Sequence, residues 1–127
     1  MLKYIDYFYR GVVTKVRDGD TLTINVDLGF NTWHLSPFRL FGCNARELED
    51  PGGQEAQHNL ELLLLNKEVT LKSIKPDKYG ERYLAKVWLP EIGGFTTDVV
   101  EKLIIERWAA EWNGTGVKPV PPWPRIT

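Results

Sequence analysis

The stretch RLFGCNARELEDPGGQEA, residues 39–56, begins as an apolar strand and ends as the start of a helix. Between those ends stand Arg39, Asn44, Arg46 and Glu47, a density of polar chemistry that a plain connection does not need. Each type has a use. A guanidinium grips phosphate oxygens in pairs and never loses its charge. A glutamate beside a water can take its proton, a contribution on the order of a hundredfold or more. Amide and carboxylate oxygens ligate hard cations.

The neighbouring elements decide whether such groups can meet. Residues 11–28, GVVTKVRDGDTLTINVDL, have the form of a hairpin: Leu22, Ile24, Val26 and Leu28 alternate with Thr23, Asn25 and Asp27. Asp18-Gly19 is a tight-turn signal, which puts Asp20 at the mouth of the hairpin. A turn at Gly29–Asn31 leads into WHLSPFRLF, where Pro37 suggests an edge or a bulge. Asp50 to Leu65 is expected to be helical, with Asp50 able to cap and Pro51 suited to the first position. Gly52-Gly53 weakens the first turn, so a start at Gly53 or later is open. Ala56, Leu60, Leu63 and Leu64 share one helical face.

Two further strand-like runs, Glu68–Lys75 and Arg82–Leu89, are joined by the polar turn PDKYGE. Thr97 or Asp98 can cap a second helix carrying Val99, Val100, Leu103, Ile104 and Trp108 along one side. From Asn113 the chain turns Gly- and then Pro-rich, an extended tail (113–127) following a single domain (1–112), with Val120 and Trp123 able to pack back on the body. Three strands, a helix, two strands and a helix is a short list of folds. The natural candidate is α+β and mainly β: a five-stranded Greek-key OB-fold barrel with two packed helices.

Composition sets limits. Apolar residues at 43% and charged residues at 26% are ordinary for a globular chain, and 127 residues can bury one core. A net charge of −1 gives no global pull on polyanions, so any nucleic-acid contact needs a local basic patch. Cys43 is the single cysteine, which excludes an intrachain disulfide and a Cys-rich metal site. No apolar run approaches membrane-spanning length and the opening MLKYIDYFYR lacks a secretory core, so a cytoplasmic protein is expected.

Four motifs in order, VRDGDTLTINVD, FRLFGCNARE, GGQEA and DKYGERYLAKV, resemble the thermonuclease family, the staphylococcal-nuclease-like domains, over about Gly11 to Trp108. The resemblance implies an OB-fold barrel and a calcium-dependent phosphodiesterase that cleaves single-stranded DNA and RNA. Carried over by position, Asp20 matches a calcium-ligating aspartate, and Asn44 stands where the family has a second aspartate ligand. Ala45 stands where a backbone carbonyl reaches the metal. Arg39 matches the first phosphate-binding arginine and Glu47 the glutamate proposed to activate water. Arg82 matches the second phosphate arginine with one residue inserted, since YGR is here YGER. Lys78 and Tyr79 match residues lining the nucleotide site. The third helix is missing, and APE or TPE is here ARE. NARE, DPGG and the KPVPPWP tail are similar to phage-encoded members, which implies a host cytoplasm or virion setting.

Phosphodiester hydrolysis needs an aimed and partly deprotonated water, neutralised phosphorane oxygens and a stabilised leaving alkoxide. On this assignment Asp20 and the Asn44 loop hold the metal, Arg39 and Arg82 clamp the phosphate, and Glu47 handles the water. Asn44 keeps an oxygen but removes a charge. One unit-charge pair at 4 Å is worth about 4 kcal/mol at an effective dielectric near 20, so a weak Ca2+ site is expected, open to other divalent ions. Taken singly, each residue has a plainer explanation: Asp18-Gly19-Asp20 as a turn, Arg39 as a polar-face strand residue, Glu47 and Asp50 as helix-end acids. Two functions follow: a nuclease acting on single-stranded nucleic acid, or an inactive OB-fold module that binds nucleic acid or a protein partner, the Pro-rich tail being one docking element.

Overall fold

The computed structural model describes residues 7–77, 80 and 82–119. Lys78 and Tyr79, and Val120 and Trp123 of the tail, lie outside the described residues. The elements are β1 (Phe8–Val16), β2 (Thr21–Asp27), β3 (Trp33–Leu40), β4 (Cys43–Ala45), α1 (Gly53–Leu64), β5 (Glu68–Pro76), β6 (Tyr83–Pro90), β7 (Thr96–Asp98), α2 (Val99–Ile105) and β8 (Ala109–Glu111).

The strands pair in the order β3-β2-β1-β5-β6, and β3 returns to β6 in parallel at Phe38↔Tyr83, Arg39↔Leu84 and Leu40↔Ala85. That closure makes a five-stranded, OB-fold-like barrel with two helices. Strand alternation fills it: Leu22, Ile24 and Val26 of β2, Phe38 and Leu40 of β3, Val69 and Leu71 of β5, and Ala85 and Val87 of β6 are all buried. Bulges at Val13/Lys15 in β1 and Ser73/Lys75 in β5 supply the extra bend that closure requires.

Helix α1 presses Ala56, Leu60 and Leu64 onto the core. Burying one such leucine contributes about 2 kcal/mol. The helix starts at Gly53, and the residue before it, Gly52, sits in the left-handed region at φ 85° with no side-chain cap. Asp50 does not cap the helix; its Oδ2 accepts from the Glu47 N–H at 2.9 Å, and its carbonyl accepts from the Gly53 N–H at 2.9 Å. The loop folds back so tightly that a Cβ on Gly53 would lie 1.8 Å from the Glu47 carbonyl oxygen. Gly53→Ala is therefore expected to displace the Glu47 loop and to cost about 3 kcal/mol, the upper end for an overpacked site. Urea unfolding checks it, and an unchanged midpoint would contradict this packing.

Helix α2 is capped by Asp98, whose carboxylate accepts from the Glu101 N–H, and it buries Val99 and Leu103. It ends at Ile105, short of Trp108. The chain then reverses into β8, which pairs with β4 at Cys43↔Glu111, Asn44↔Ala110 and Ala45↔Ala109. The sequence pattern shows neither of these strands. Their pairing matters because it lays Trp112 and the residues after it beside β3 and the loop of Asn44. Buried Cys43 is a core residue, and burial pushes its thiol far above the ordinary range. Among the described residues no helix is long and apolar enough to cross a membrane.

Candidate active site

The β1–β2 turn, the end of β3, the loop after β4 and the segment entering β6 converge on a cleft of about 470 Å³. Its lining includes Asp18, Asp20, Arg39, Glu47, Arg82 and Lys118. The centre is Asp20, whose carboxylate is almost entirely buried and hydrogen-bonded at both oxygens. Oδ2 accepts from the Ala45 N–H at 2.9 Å and from Arg39 Nη2 at 3.3 Å, while Oδ1 accepts from the Thr21 hydroxyl at 3.1 Å. Thr21 Oγ1 in turn accepts from Arg82 Nη1 at 3.1 Å. One carboxylate thus holds both guanidinium groups, Arg39 directly and Arg82 through Thr21.

Local folding places each of these. Gly19 lets the β1–β2 turn seat against two elements, since a Cβ there would lie 2.7 Å from Ala45 Cβ and 3.1 Å from Ala56 Cβ. Thr21 and Arg39 are cross-strand partners, so they share one face of the barrel. Arg39 also stacks over the Trp112 ring at 5.4 Å, a cation–π contact that fixes its plane. Arg82 lies just before β6, and Asp77 accepts from its Nε at 2.8 Å. This ion pair holds one edge of the guanidinium while the other edge points to Thr21.

Asn44 is buried beside this group. Its Oδ1 accepts from Arg39 Nη2 at 3.1 Å, and its Nδ2 donates to the Pro119 carbonyl at 2.8 Å. The amide therefore splits its two ends between an arginine and the tail. A carboxylate at this position would have an oxygen where the amide donates. Ala45 contributes its N–H to Asp20. Glu47 stands at the rim with its side chain 53% exposed, and Lys118 Nζ lies 3.7 Å from its carboxylate.

Asp18, Thr21 and Lys118 also line the cleft, although none of them carries a site signal in the sequence. The Asp18 carboxylate accepts from the Asp20 N–H at 3.1 Å and closes the turn, yet it also faces the cleft. Burial, with repulsion from Asp20 adding to it, raises its pKa from the ordinary 3.8 to about 6. Because the folded value is the higher one, between those two pH values the native state keeps a proton that the unfolded chain has released. Stability then falls as pH rises through that window, and the cost is fully present above about pH 6. Asp18→Asn is expected to flatten that slope and to stabilise the protein above pH 6. Urea midpoints in chelator on either side of the window test it; parallel curves for the two proteins would contradict it.

Among the described residues no three acidic or imidazole groups are close enough to form a ready-made metal cage. The donor chemistry nevertheless fits a hard cation: Asp18, Asp20 and Glu47 all line one cleft, and Asp18 and Asp20 are crowded at a cost that positive charge would relieve. Among the described residues the lining has no soft ligand. A second recess of about 210 Å³ shares Arg39, Asp77, Arg82 and Trp112 with the cleft and adds Leu40, Leu84 and Lys75.

Fold and site together define an OB-fold-like barrel whose cleft is lined by Arg17, Arg39 and Arg82 and by the acids Asp18, Asp20, Glu47 and Asp77. Comparison with protein-family models and with curated proteins finds no match to this chain.

Proposed function

We propose that this protein is a metal-dependent phosphodiesterase of the thermonuclease type, acting on single-stranded DNA or RNA. The observation that carries the reading is the shared anchoring of Arg39 and Arg82 on Asp20, within a cleft that Glu47 overlooks. Two guanidinium groups set by one carboxylate are pre-oriented for the non-bridging oxygens of one phosphoryl group, where charge grows during attack. Such preorganisation contributes most where the donors need not move.

In this reading Arg39 and Arg82 bind and neutralise the phosphate. Glu47 takes the proton from the attacking water. Asp20 fixes the arginines, and the Trp112 ring and the nearby recess receive the nucleoside side of the substrate. A divalent cation, calcium by the family resemblance, would be held by Asp18 and Asp20 together with the substrate's own phosphate, and it would supply Lewis acidity. The resemblance to phage-encoded members suggests nucleic acid of an infected host as the physiological target.

The test is cleavage of a fluorescent single-stranded oligonucleotide by the purified protein in calcium and in chelator. Cleavage in calcium that stops in chelator supports the proposal; no cleavage in either removes it. Asn44→Asp extends the test. The change adds a carboxylate next to Asp20 and replaces the donor to Pro119 with an acceptor, so the tail contact is lost. Calcium affinity is expected to rise about tenfold and the cleavage rate to rise with it, by calorimetry and initial rates. Equal affinity in the two proteins would mean that this side chain does not feel the ion.

A second reading, a binding module without catalysis, is favoured by one observation. The tail makes contacts with the site itself, through Lys118 on Glu47 and the Pro119 carbonyl on Asn44. Retention of an intact oligonucleotide in calcium would select this reading.

A further inference from the structure

The segment after β8 doubles back over the cleft, and local chemistry makes it do so. The Trp112 N–H donates to the Gly42 carbonyl at 3.0 Å, just beyond the β4–β8 pairing. Asn113 Oδ1 then accepts from the N–H and the hydroxyl of Thr115 at 2.9 and 2.8 Å, and Trp112 Nε1 donates to the Thr115 carbonyl at 3.0 Å. Gly114 and Gly116 take the left-handed φ values of 91° and 75° that the reversal needs. The turn returns Lys118 and Pro119 to groups on which the proposed reaction depends. Lys118 Nζ lies 3.7 Å from the Glu47 carboxylate and 5.8 Å from the centroid of the Trp112 ring, the same ring that Arg39 stacks on. The Pro119 carbonyl accepts from the buried Asn44 amide at 2.8 Å.

We infer that residues 113–119 are an autoinhibitory strap, which closes the cleft until a single-stranded polynucleotide displaces it; the inference rests on the proposed function and adds its regulation. Occupancy is the first argument. Glu47 is paired with an ammonium instead of a water, and the ring that would receive a nucleoside already faces Lys118. Asn44 is the second. A buried amide donor left without a partner costs free energy, so Asn44 favours the closed tail. An aspartate there would set an oxygen against the Pro119 carbonyl oxygen, so the amide that weakens a metal site is the group that latches a strap. Strength is the third. A half-exposed ion pair and one hydrogen bond make a weak latch, and a polynucleotide that engages both arginines can replace it.

The sign of one substitution separates a strap from an ordinary phosphate contact. Removing a lysine that touches phosphate weakens binding, whereas removing one that holds the cleft shut tightens it. The experiment uses the full chain in chelator, so that labelled dT12 stays intact, and reads fluorescence anisotropy. Lys118→Gln is expected to bind dT12 about fivefold more tightly than wild type, the gain on releasing a strap that is closed about four-fifths of the time. Lys118→Arg keeps the cation and is expected to bind as wild type does. Lys15→Gln, which removes a cleft lysine outside the strap, is expected to bind more weakly. In calcium the gain of Lys118→Gln is expected in KM rather than in kcat, because the strap is already displaced once substrate is bound. Equal or weaker dT12 binding by Lys118→Gln would overturn the inference, and calcium-dependent cleavage in the same protein would leave the nuclease proposal standing without it. Tighter dT12 binding by Lys118→Gln with no cleavage in calcium would remove the nuclease proposal and leave the strap as the gate of a binding cleft.

Discussion

Replacing Glu47 by glutamine is expected to slow cleavage in calcium by about a hundredfold or more while leaving unfolding unchanged. The two halves of that expectation have separate grounds. The Glu47 side chain is more than half exposed, and its ion pair with Lys118 is long and open to water. Exposed pairs of this kind contribute little to stability. What fixes the residue is its backbone, through Asp50 and the close approach of Gly53, and the substitution leaves both in place. Glutamine keeps the shape and loses the base. Initial rates with a single-stranded oligonucleotide, read beside urea unfolding, separate chemistry from folding. A variant that cleaves at the full rate would exclude Glu47 as the group that activates water.

Truncating Arg39 to alanine is expected to act on both quantities. Arg39 and Asp20 form a pair in which the side chains are 14% and 9% exposed, so removing the cation strands a buried carboxylate. Breaking such a pair costs about 3–5 kcal/mol. Asn44 loses a donor as well, and the Trp112 ring loses its stacked cation. Cleavage should fall by a further hundred- to thousandfold, the loss typical of one donor to a developing oxyanion. Arg39→Lys distinguishes the two roles. Lysine restores a charge near Asp20 and recovers most of the stability, but it cannot offer the planar fork, so activity should stay low. If Arg39→Ala unfolds more easily yet keeps kcat and KM, the arginine is a structural ion-pair partner only.

Much of this arrangement was legible in the sequence, for identifiable reasons. The alternation of Leu22, Ile24 and Val26 marked β2, and the strand–helix order implied the closed barrel. Thr97 and Asp98 were both legible as caps for α2, because a cap bonds within its own helix, and the structure selects Asp98. Asp50 was misassigned to the same role: a local pattern cannot show that its carboxylate turns back to Glu47 rather than forward to the helix. The short strands β4 and β8 were invisible because their pairing joins residues far apart, with no alternation of their own. Thr21 was hidden for a related reason, since its importance comes from standing opposite Arg39. Lys118 gave no signal at all: it reaches Glu47 only because β8 turns the tail across the cleft.

The central claim is that Arg39 and Arg82 act on one phosphoryl group, and a double-mutant cycle on kcat/KM tests it most directly. Arg39→Lys, Arg82→Lys and the double variant are compared with wild type on one oligonucleotide in saturating calcium. Each single change is expected to cost about a hundredfold, and the double change clearly less than the product of the two, because the groups share a ligand and an anchor. Full activity in Arg82→Lys, or effects that multiply as for independent sites, would contradict the shared clamp.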